Sequence, residues 1–124
     1  MASLADTTDS DVRTDYSPRF QHAIELIGRR WTGSILKVIG DRALRFGEIT
    51  AAIPGLSDRL LDARLTELEA EGIVSRSTNH GQIRYSMTMK GIELQPVFET
   101  LSRWAAVHAE TGDLANRPGR RQDG

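Results

Sequence analysis

Apolar residues recur at spacings of three and four along the first half of the chain, and this pattern predicts three short helices. The first helix runs from Ser17, an N-cap residue followed by proline, to Gly28. The second ends at Gly40, and the third ends at Pro54, where a helix cannot continue. Their apolar positions are Phe20, Ala23, Ile24 and Ile27, then Trp31, Ile35, Val38 and Ile39, then Phe46, Ile49 and Ile53. Short, closely joined helices are typical of a compact helical domain.

A fourth helix is predicted between Ser57 and Gly72, and one of its sides is polar. Ser57 serves as its N-cap and Gly72 as its C-cap. With a turn of about 100° per residue, leucines and polar residues fall on opposite sides. The apolar side carries Leu61, Leu65 and Leu68, and the opposite side carries Arg59, Ala63 and Thr66, flanked by Asp62. Such a helix packs on a core with one side and faces solvent or a partner with the other.

Residues 73–88 have the alternation expected of two β-strands joined by a turn. Ile73 and Val74 begin a β-prone segment, and in the turn "STNHGQ" Asn79 and Gly81 suit positive φ. After the turn, apolar and polar residues alternate as Ile83, Tyr85 and Met87 against Arg84, Ser86 and Thr88. This segment predicts a β-hairpin with polar, partly basic flanks.

The last ordered element is predicted at about residues 88–110, with Pro96 kinking or restarting the helix. Its apolar side has the alternating spacings of a helix that packs on another helix. That side carries Leu94, Val97, Leu101, Trp104 and His108. A domain of this size scarcely has room to bury it alone, so we expect it at an interface between subunits.

The predicted order of elements is three short helices, a fourth helix that is polar on one side, a hairpin and a long helix. This order is that of the winged helix-turn-helix, a mainly α fold with a small β-hairpin wing (α+β). In this plan the helix after the tight turn enters the major groove, and its first residues reach base edges. Its N-terminal N–H groups also suit a phosphate. The candidate DNA contacts are Arg45, Ser57, Asp58, Arg59, Asp62, Ala63, Thr66, Arg76 and Arg84.

Each candidate contact has a structural alternative. Arg59 suits a guanine or simply stays solvated, and Asp62 accepts from a cytosine amine or only repels non-cognate phosphate. Arg45 contacts a phosphate or pairs within the protein, and the same two roles are open to Arg64. Arg84 is the best wing candidate, whereas the wing's His80 is interpreted as a turn residue. Ser57 is first of all a helix cap.

Length, composition and charge narrow the classes of protein. The 124 residues suit one domain, with 39% hydrophobic and 27% charged residues. The net charge of −1 conceals a middle segment, residues 29–90, with ten basic against seven acidic residues, a net +3. No apolar run approaches the roughly 18 residues that span a bilayer, so we expect a cytoplasmic protein without membrane contact.

The chain is expected to divide into one folded domain and two polar ends. Residues 1–16 form an acidic arm that we expect to be disordered, residues 17–111 form the winged helix-turn-helix domain with its dimerisation helices, and residues 112–124 form a flexible tail.

Catalytic and metal chemistry have little support. Cysteine is absent, which excludes disulfides, thiolate metal sites and cysteine nucleophiles. There is no glycine-rich phosphate loop, no His/Asp/Glu cluster with metal spacing and no nucleophile beside a base. His22 and His108, on expected interface helices, suit packing better than a shared metal ion. We therefore expect no enzyme, no cofactor and no metal.

The residues resemble a known family, the HxlR-type regulators, which are dimeric winged-helix proteins related to the multiple-antibiotic-resistance regulators. The resemblance covers about residues 18–110 and rests on "ELIGRRWTGSIL", "RFGEI", "IPGLSDRLLDARLTELEAEGIVSR", "YSMTMKG" and "LQPVFETLSRW". It implies a homodimer with the first and last helices at the interface. It also implies a pseudo-palindromic double-stranded DNA operator, with half-sites ~34–36 Å apart.

The chain departs from the family pattern in two places. Family members commonly carry a Cys-Pro pair before the first helix, where this chain has Ser17 and Pro18, so thiol-based sensing is excluded there. The wing, "NHGQIRY", is shorter than the proline-containing wing of relatives, which weakens the implied wing contacts to DNA. A protein-interaction module that has lost DNA binding therefore stays open as an alternative function.

The two tryptophans, Trp31 and Trp104, are most simply core residues near the expected dimer interface. The resemblance offers an alternative, since a small-molecule pocket in this family sits between the dimer helices and the DNA-binding lobe. In that case the two tryptophans line an effector pocket.

Overall fold

A computed structural model of the chain describes residues 15–110. In chain order its elements are α1 (Pro18–Ile27), α2 (Thr32–Ile39), β1 (Leu44–Arg45), α3 (Phe46–Ala52), α4 (Asp58–Ala70), β2 (Val74–Asn79), β3 (Gln82–Met87), α5 (Met89–Ile92) and α6 (Gln95–Glu110). The predicted acidic arm, except for its last two residues, and the predicted tail lie outside the described residues. Within residues 15–110, no helix has both the length and the apolar character needed to cross a membrane.

The helix boundaries follow the capping residues that the sequence places there. The Ser17 hydroxyl accepts a hydrogen bond from the backbone N–H of Phe20 at 3.1 Å, and Gly28 closes α1, as predicted. Helix α2 begins after Trp31, which adopts a left-handed φ of 77°, and ends at Gly40 with a φ of 56°. Gly40 combines this φ with a ψ of −127°, a conformation open essentially only to glycine, so it is a suitable stop.

The hydrophobic core lies where α2, α3 and α4 meet under the sheet. The predicted apolar side of α4 is confirmed, since its three leucines are almost fully buried. The most deeply buried residues are Ile35, Leu36, Ile39, Ile49, Leu61, Leu65 and Leu68, and Val74, Tyr85 and Phe98 close the core from the sheet and from α6. At roughly 1.5–3 kcal/mol for each fully buried aliphatic side chain, this cluster is the main source of stability.

The sheet has three strands rather than the two that the sequence predicted. Strand β1 pairs antiparallel with β3, placing Leu44 opposite Tyr85 and Arg45 opposite Arg84, and β2 pairs with the other edge of β3. The sequence pattern missed β1 because two residues are too short for any periodicity to appear. The strand exists because β3 supplies its pairing partner.

The hairpin turn lies within the predicted segment "STNHGQ", and the predicted positive φ at Gly81 and turn position of His80 are confirmed. Asn79 is the last residue of β2 and pairs with Gln82, whereas His80 and Gly81 adopt φ values of 54° and 78°. The prediction of positive φ at Asn79 is therefore wrong. A two-residue turn with both residues in the left-handed region matches the twist of the flanking strands, and this geometry selects His80 and Gly81.

The C-terminal segment restarts at Pro96, which is one of the two predicted outcomes. Pro96 is the second residue of α6. Backbone N–H groups in the first turn of a helix have no acceptor within the helix, so the N–H that proline lacks costs no helical hydrogen bond. Phe98 points into the core, but the outer side of α6 is uncovered. Val97, Leu101, Trp104 and Val107 are all 46% exposed or more.

Helix α5 approaches Ile73, the residue before β2, so closely that Gly91 is required there. A Cβ atom on Gly91 would lie 2.3 Å from the backbone oxygen of Ile73. Thr88 fixes this close approach, because its hydroxyl donates to the oxygen of Gly72 at 2.6 Å and accepts from the N–H of Gly91 at 3.1 Å.

We predict that Gly91→Ala lowers the free energy of unfolding by about 1–3 kcal/mol, because Ile73 or α5 must shift to admit the methyl group. Chemical denaturation monitored by circular dichroism measures the change. Gly47→Ala is the control, since a Cβ there meets nothing within 4 Å. It should change stability by no more than about 1 kcal/mol. Equal effects of the two substitutions would contradict the close approach.

Candidate DNA-binding surface

The start of helix α4 is fixed by a turn, a cap and an apolar anchor. The turn contains Gly55, whose φ of 90° strongly favours glycine. Leu56 follows and is buried, which holds the chain against the core just before the helix. The Ser57 hydroxyl accepts from the N–H of Leu60 at 3.1 Å, so its predicted capping role is confirmed. Asp58 lies in the first turn, where a carboxylate suits the helix dipole.

The side of α4 opposite the leucines is open to solvent. Arg59, Asp62 and Thr66 are exposed, and Ala63 between them is half-buried. Arg59 makes no ion pair with the part of the chain that the structure describes. Its guanidinium therefore has donors available for an external acceptor.

Arg64 takes the structural role among its two alternatives. Its Nε donates to the backbone oxygen of Arg30 at 2.9 Å, and its Nη1 lies 3.2 Å from Glu67 Oε2. The side chain is only 13% exposed. Glu67 also pairs with Arg29, whose Nε lies 3.1 Å from Oε1. One carboxylate on α4 thus contacts the segment that joins α1 to α2.

Arg45 and Arg84 lie on paired strands and share one carboxylate, that of Glu48. The backbone N–H of Arg45 donates to Glu48 Oε1 at 2.8 Å, and Arg45 Nη2 lies 3.2 Å from Oε2. Arg84 Nη1 lies 3.9 Å from Oε1 and donates to the backbone oxygen of Ala43 at 3.1 Å. We call Arg45, Glu48 and Arg84 the Arg–Glu–Arg cluster.

The environment of Glu48 favours its charged form. The backbone hydrogen bond from Arg45 is the largest cause that lowers the pKa of Glu48, and the side-chain hydrogen bond from Arg45 is the next. The charges of Arg45 and Arg84 lower it further. Sequence reasoning missed Glu48. A glutamate three residues after an N-cap position was the available signal, and the pairing with β3 was not visible.

The outer wing carries Arg76 on β2 and the turn residue His80. Arg76 Nε lies 3.4 Å from Glu69 Oε2, which ties the wing to the C-terminal half of α4. The Arg76 side chain is still half exposed. Its position is thus set by an ion pair, while part of its guanidinium stays open to solvent.

The two tryptophans lie in different places. Trp31 packs against the turn before α4, since a Cβ on Gly55 would lie 3.7 Å from its Cη2 atom, and the guanidinium carbon of Arg30 lies 5.3 Å from its ring centroid. Trp104 lies on α6, 53% exposed, with its ring 4.6 Å from that of His108.

An open apolar groove of about 760 Å³ lies between α1 and α6, and Trp104 is one of its lining residues, whereas Trp31 is not. The groove is lined by Ile24, Ile27, Pro96, Val97, Thr100, Leu101 and Trp104. The structure therefore does not bring the two tryptophans together in this groove.

A helical core, a solvent-facing helix after a tight turn and a three-stranded wing define a winged helix-turn-helix protein. The chain belongs to the HxlR-like helix-turn-helix family, whose model matches residues 26–113. The resemblance seen in the sequence is thereby confirmed.

Its relatives are transcriptional regulators. The HTH-type transcriptional regulator YodB of Bacillus subtilis is 40% identical over 99 residues, covering 77% of this chain and 88% of YodB. YvaP, from the same organism, is 40% identical over 96 residues, covering 75% and 89%. The chain is therefore a DNA-binding transcriptional regulator, and the interaction module without DNA binding is not supported.

Solved structures agree with this fold. The reduced form of YodB matches with a TM-score of 0.71 at 40% identity, covering 79% of this chain and 99% of YodB. The redox regulator HypR in its reduced form also matches with a TM-score of 0.71, at 31% identity, covering 77% and 96%. The predicted homodimer is consistent with these structures.

We predict that Glu48 makes stability depend on pH below its ordinary pKa of 4.5. Because folding lowers this pKa, the ionised carboxylate stabilises the fold fully above pH 4.5, and this contribution is lost as the pH falls through the lowered value. The gap in free energy of unfolding between wild type and Glu48→Gln should stay constant above pH 4.5 and narrow below it. Denaturation at several pH values measures the gap. Glu99→Gln, the same substitution on α6, controls for the loss of one negative charge. A difference in free energy of unfolding between wild type and Glu48→Gln that did not change with pH would contradict the prediction.

Proposed function

We propose that two copies of the chain present their α4 helices to successive major grooves of a pseudo-palindromic operator. The observation that carries the proposal is the polar side of α4, which lies opposite three buried leucines and is exposed to solvent rather than covered by other elements that the structure describes. Helices used in this way read half-sites ~34–36 Å apart. Selecting bound duplexes from a random pool tests the proposal, because the selected sequences report both the half-site and the spacing.

Specificity and affinity are assigned to different residues. Residues 57–66 read bases, with Arg59 donating to a guanine and Asp62 accepting from a cytosine amine or excluding non-cognate phosphate. Ser57 and Asp58 place the first turn, and Ala63 and Thr66 complete the contacting side. Arg45, Arg76 and Arg84 contact phosphates, and release of counter-ions from the DNA supplies affinity.

The outer side of α6, together with α1, is proposed as the dimer interface. Val97, Leu101, Trp104 and Val107 leave an apolar stripe uncovered, and Phe20 and Ile24 extend it on α1. Contiguous exposed apolar patches on a folded domain mark interaction surfaces. A second copy supplies the same stripe, so a two-fold axis brings apolar residues against apolar residues.

We propose that this regulator responds to its signal without thiol chemistry. YodB is known in quinone-bound and diamide-treated structures, and HypR in reduced and oxidised forms. The present chain has no cysteine, so no thiol is available for oxidation or alkylation. A small-molecule effector would have to bind non-covalently, and among the two predicted pocket residues only Trp104 lines the groove between α1 and α6. The same family membership supports a cytoplasmic regulator rather than an enzyme.

We predict that Arg59→Ala weakens binding to the selected operator by about 1–3 kcal/mol and relaxes one base preference. Loss of a bidentate contact to a guanine is the physical reason. Fluorescence anisotropy with operator and random duplexes measures both effects. Arg103→Ala, which removes an exposed arginine from α6, is the control. If Arg59→Ala weakened both duplexes equally, Arg59 would be a phosphate contact instead.

We predict that Leu101→Glu converts the dimer into a folded monomer, because it places a charge in the apolar stripe of α6. Analytical ultracentrifugation gives the mass, and circular dichroism reports the fold. Ala106→Glu adds the same charge at an exposed position that does not line the groove, and should remain dimeric. If the Leu101→Glu protein stayed dimeric at micromolar concentration, α6 would not form the dimer interface.

A further inference from the structure

Glu48 places a negative charge between two side chains that a DNA-binding surface needs. Its two carboxylate oxygens lie 3.2 Å from Arg45 Nη2 and 3.9 Å from Arg84 Nη1. The two arginines are direct cross-strand partners, where like charges repel each other. The carboxylate relieves that repulsion, and it also leaves the cluster with a net charge of +1 rather than +2.

Capping of α3 alone does not explain a charged residue at this position. The cap needs a single acceptor oxygen for the N–H of Arg45, and a glutamine at the same position supplies one. The second oxygen of Glu48 bonds the Arg45 guanidinium instead. The charge is thus directed at the arginine side chains, not only at the helix end.

The Arg–Glu–Arg cluster lies where a winged helix meets the DNA backbone. Arg45 immediately precedes α3, and in helix-turn-helix proteins the helix before the recognition helix crosses the backbone. Arg84 lies on β3, a strand of the wing. Both guanidinium groups therefore belong to the elements expected to face phosphates.

The ion pairs of the cluster are open enough to be exchanged. The side chains of Arg45 and Arg84 are 48% and 33% exposed, and that of Glu48 is 39% exposed. Exposed ion pairs are weak, because solvent and salt screen them. A phosphate that approaches from solvent can replace the carboxylate as the acceptor for at least one guanidinium.

We propose that Glu48 is a specificity-determining positioning residue that occupies Arg45 and Arg84 in place of a DNA phosphate. This inference rests on the proposed function. Glu48 limits the sequence-independent attraction to DNA, and a phosphate displaces it when α4 is seated in a matching groove and holds the backbone close. The contacts of α4 then supply the free energy that random DNA lacks.

The test uses the full chain with Glu48→Gln, which keeps the cap acceptor and removes the charge. Affinities for the selected operator and for a random duplex of equal length are measured across a range of salt concentrations. We expect tighter binding to random DNA, a smaller operator preference, and a salt slope on random DNA that is steeper by about one unit for one additional phosphate contact, whereas the slope on the operator, where a phosphate already replaces Glu48, stays the same. That slope means about a 3.5-fold larger loss of affinity between 50 and 200 mM salt.

Two comparisons separate this role from a general effect of charge. Glu99→Gln makes the same change on α6 and should leave the salt slope unchanged. Glu48→Gln in a background of Arg45→Gln and Arg84→Gln should also have no effect, because no guanidinium is left to release. Glu48→Asp keeps the charge on a shorter side chain, and its salt slope on random DNA should lie between those of wild type and Glu48→Gln.

The outcomes distinguish this inference from the proposed function. A wild-type chain that prefers its operator, with a Glu48→Gln salt slope on random DNA that is unchanged or shallower, would overturn the role of Glu48 alone. A steeper slope that persists without the two arginines would also overturn it. A wild-type chain with no preference for any selected sequence would overturn the proposed function and this inference together.

Discussion

The burial of Leu61, Leu65 and Leu68 beneath α4 is the interaction on which the rest of the molecule depends. These leucines bind the helix to α2 and α3, and they set its rotation about its own axis. Because the rotation is fixed, the side that carries Arg59 and Asp62 can only face outward. The same hydrophobic contacts that stabilise the domain therefore orient the residues that we propose contact DNA, so a change in core packing would also change how they face a partner.

Ion pairs between elements add to the orientation that the buried leucines give α4. Glu67 connects α4 to the α1–α2 segment, Glu69 connects it to the wing, and Glu48 connects α3 to the sheet. In each case a carboxylate holds an arginine from another element. These three glutamates thus hold arginine side chains in position.

Local chemistry was predictable from the sequence, whereas long-range pairing was not. The caps at Ser17 and Ser57 and the leucine side of α4 depend on residues within one or two turns, so spacing alone identified them. Strand β1 and the meeting of Glu48 with Arg84 depend on residues about forty positions apart, and no local pattern records them. Within the predicted turn, Asn79 was wrongly expected to adopt positive φ, because Asn79 and His80 both tolerate it and only the strand register decides between them.

Glu67 has a consequence for the geometry of the assembled regulator. It joins α4 to Arg29, which follows α1 after Gly28, and α1 carries Ile24 of the proposed dimer interface. Each added base pair rotates one half-site relative to the other by about 35° around the DNA axis. In the dimer proposed above, contacts between α4 and the α1–α2 segment would limit how far the two α4 helices can follow such a rotation, so this dimer would favour one spacer length between half-sites.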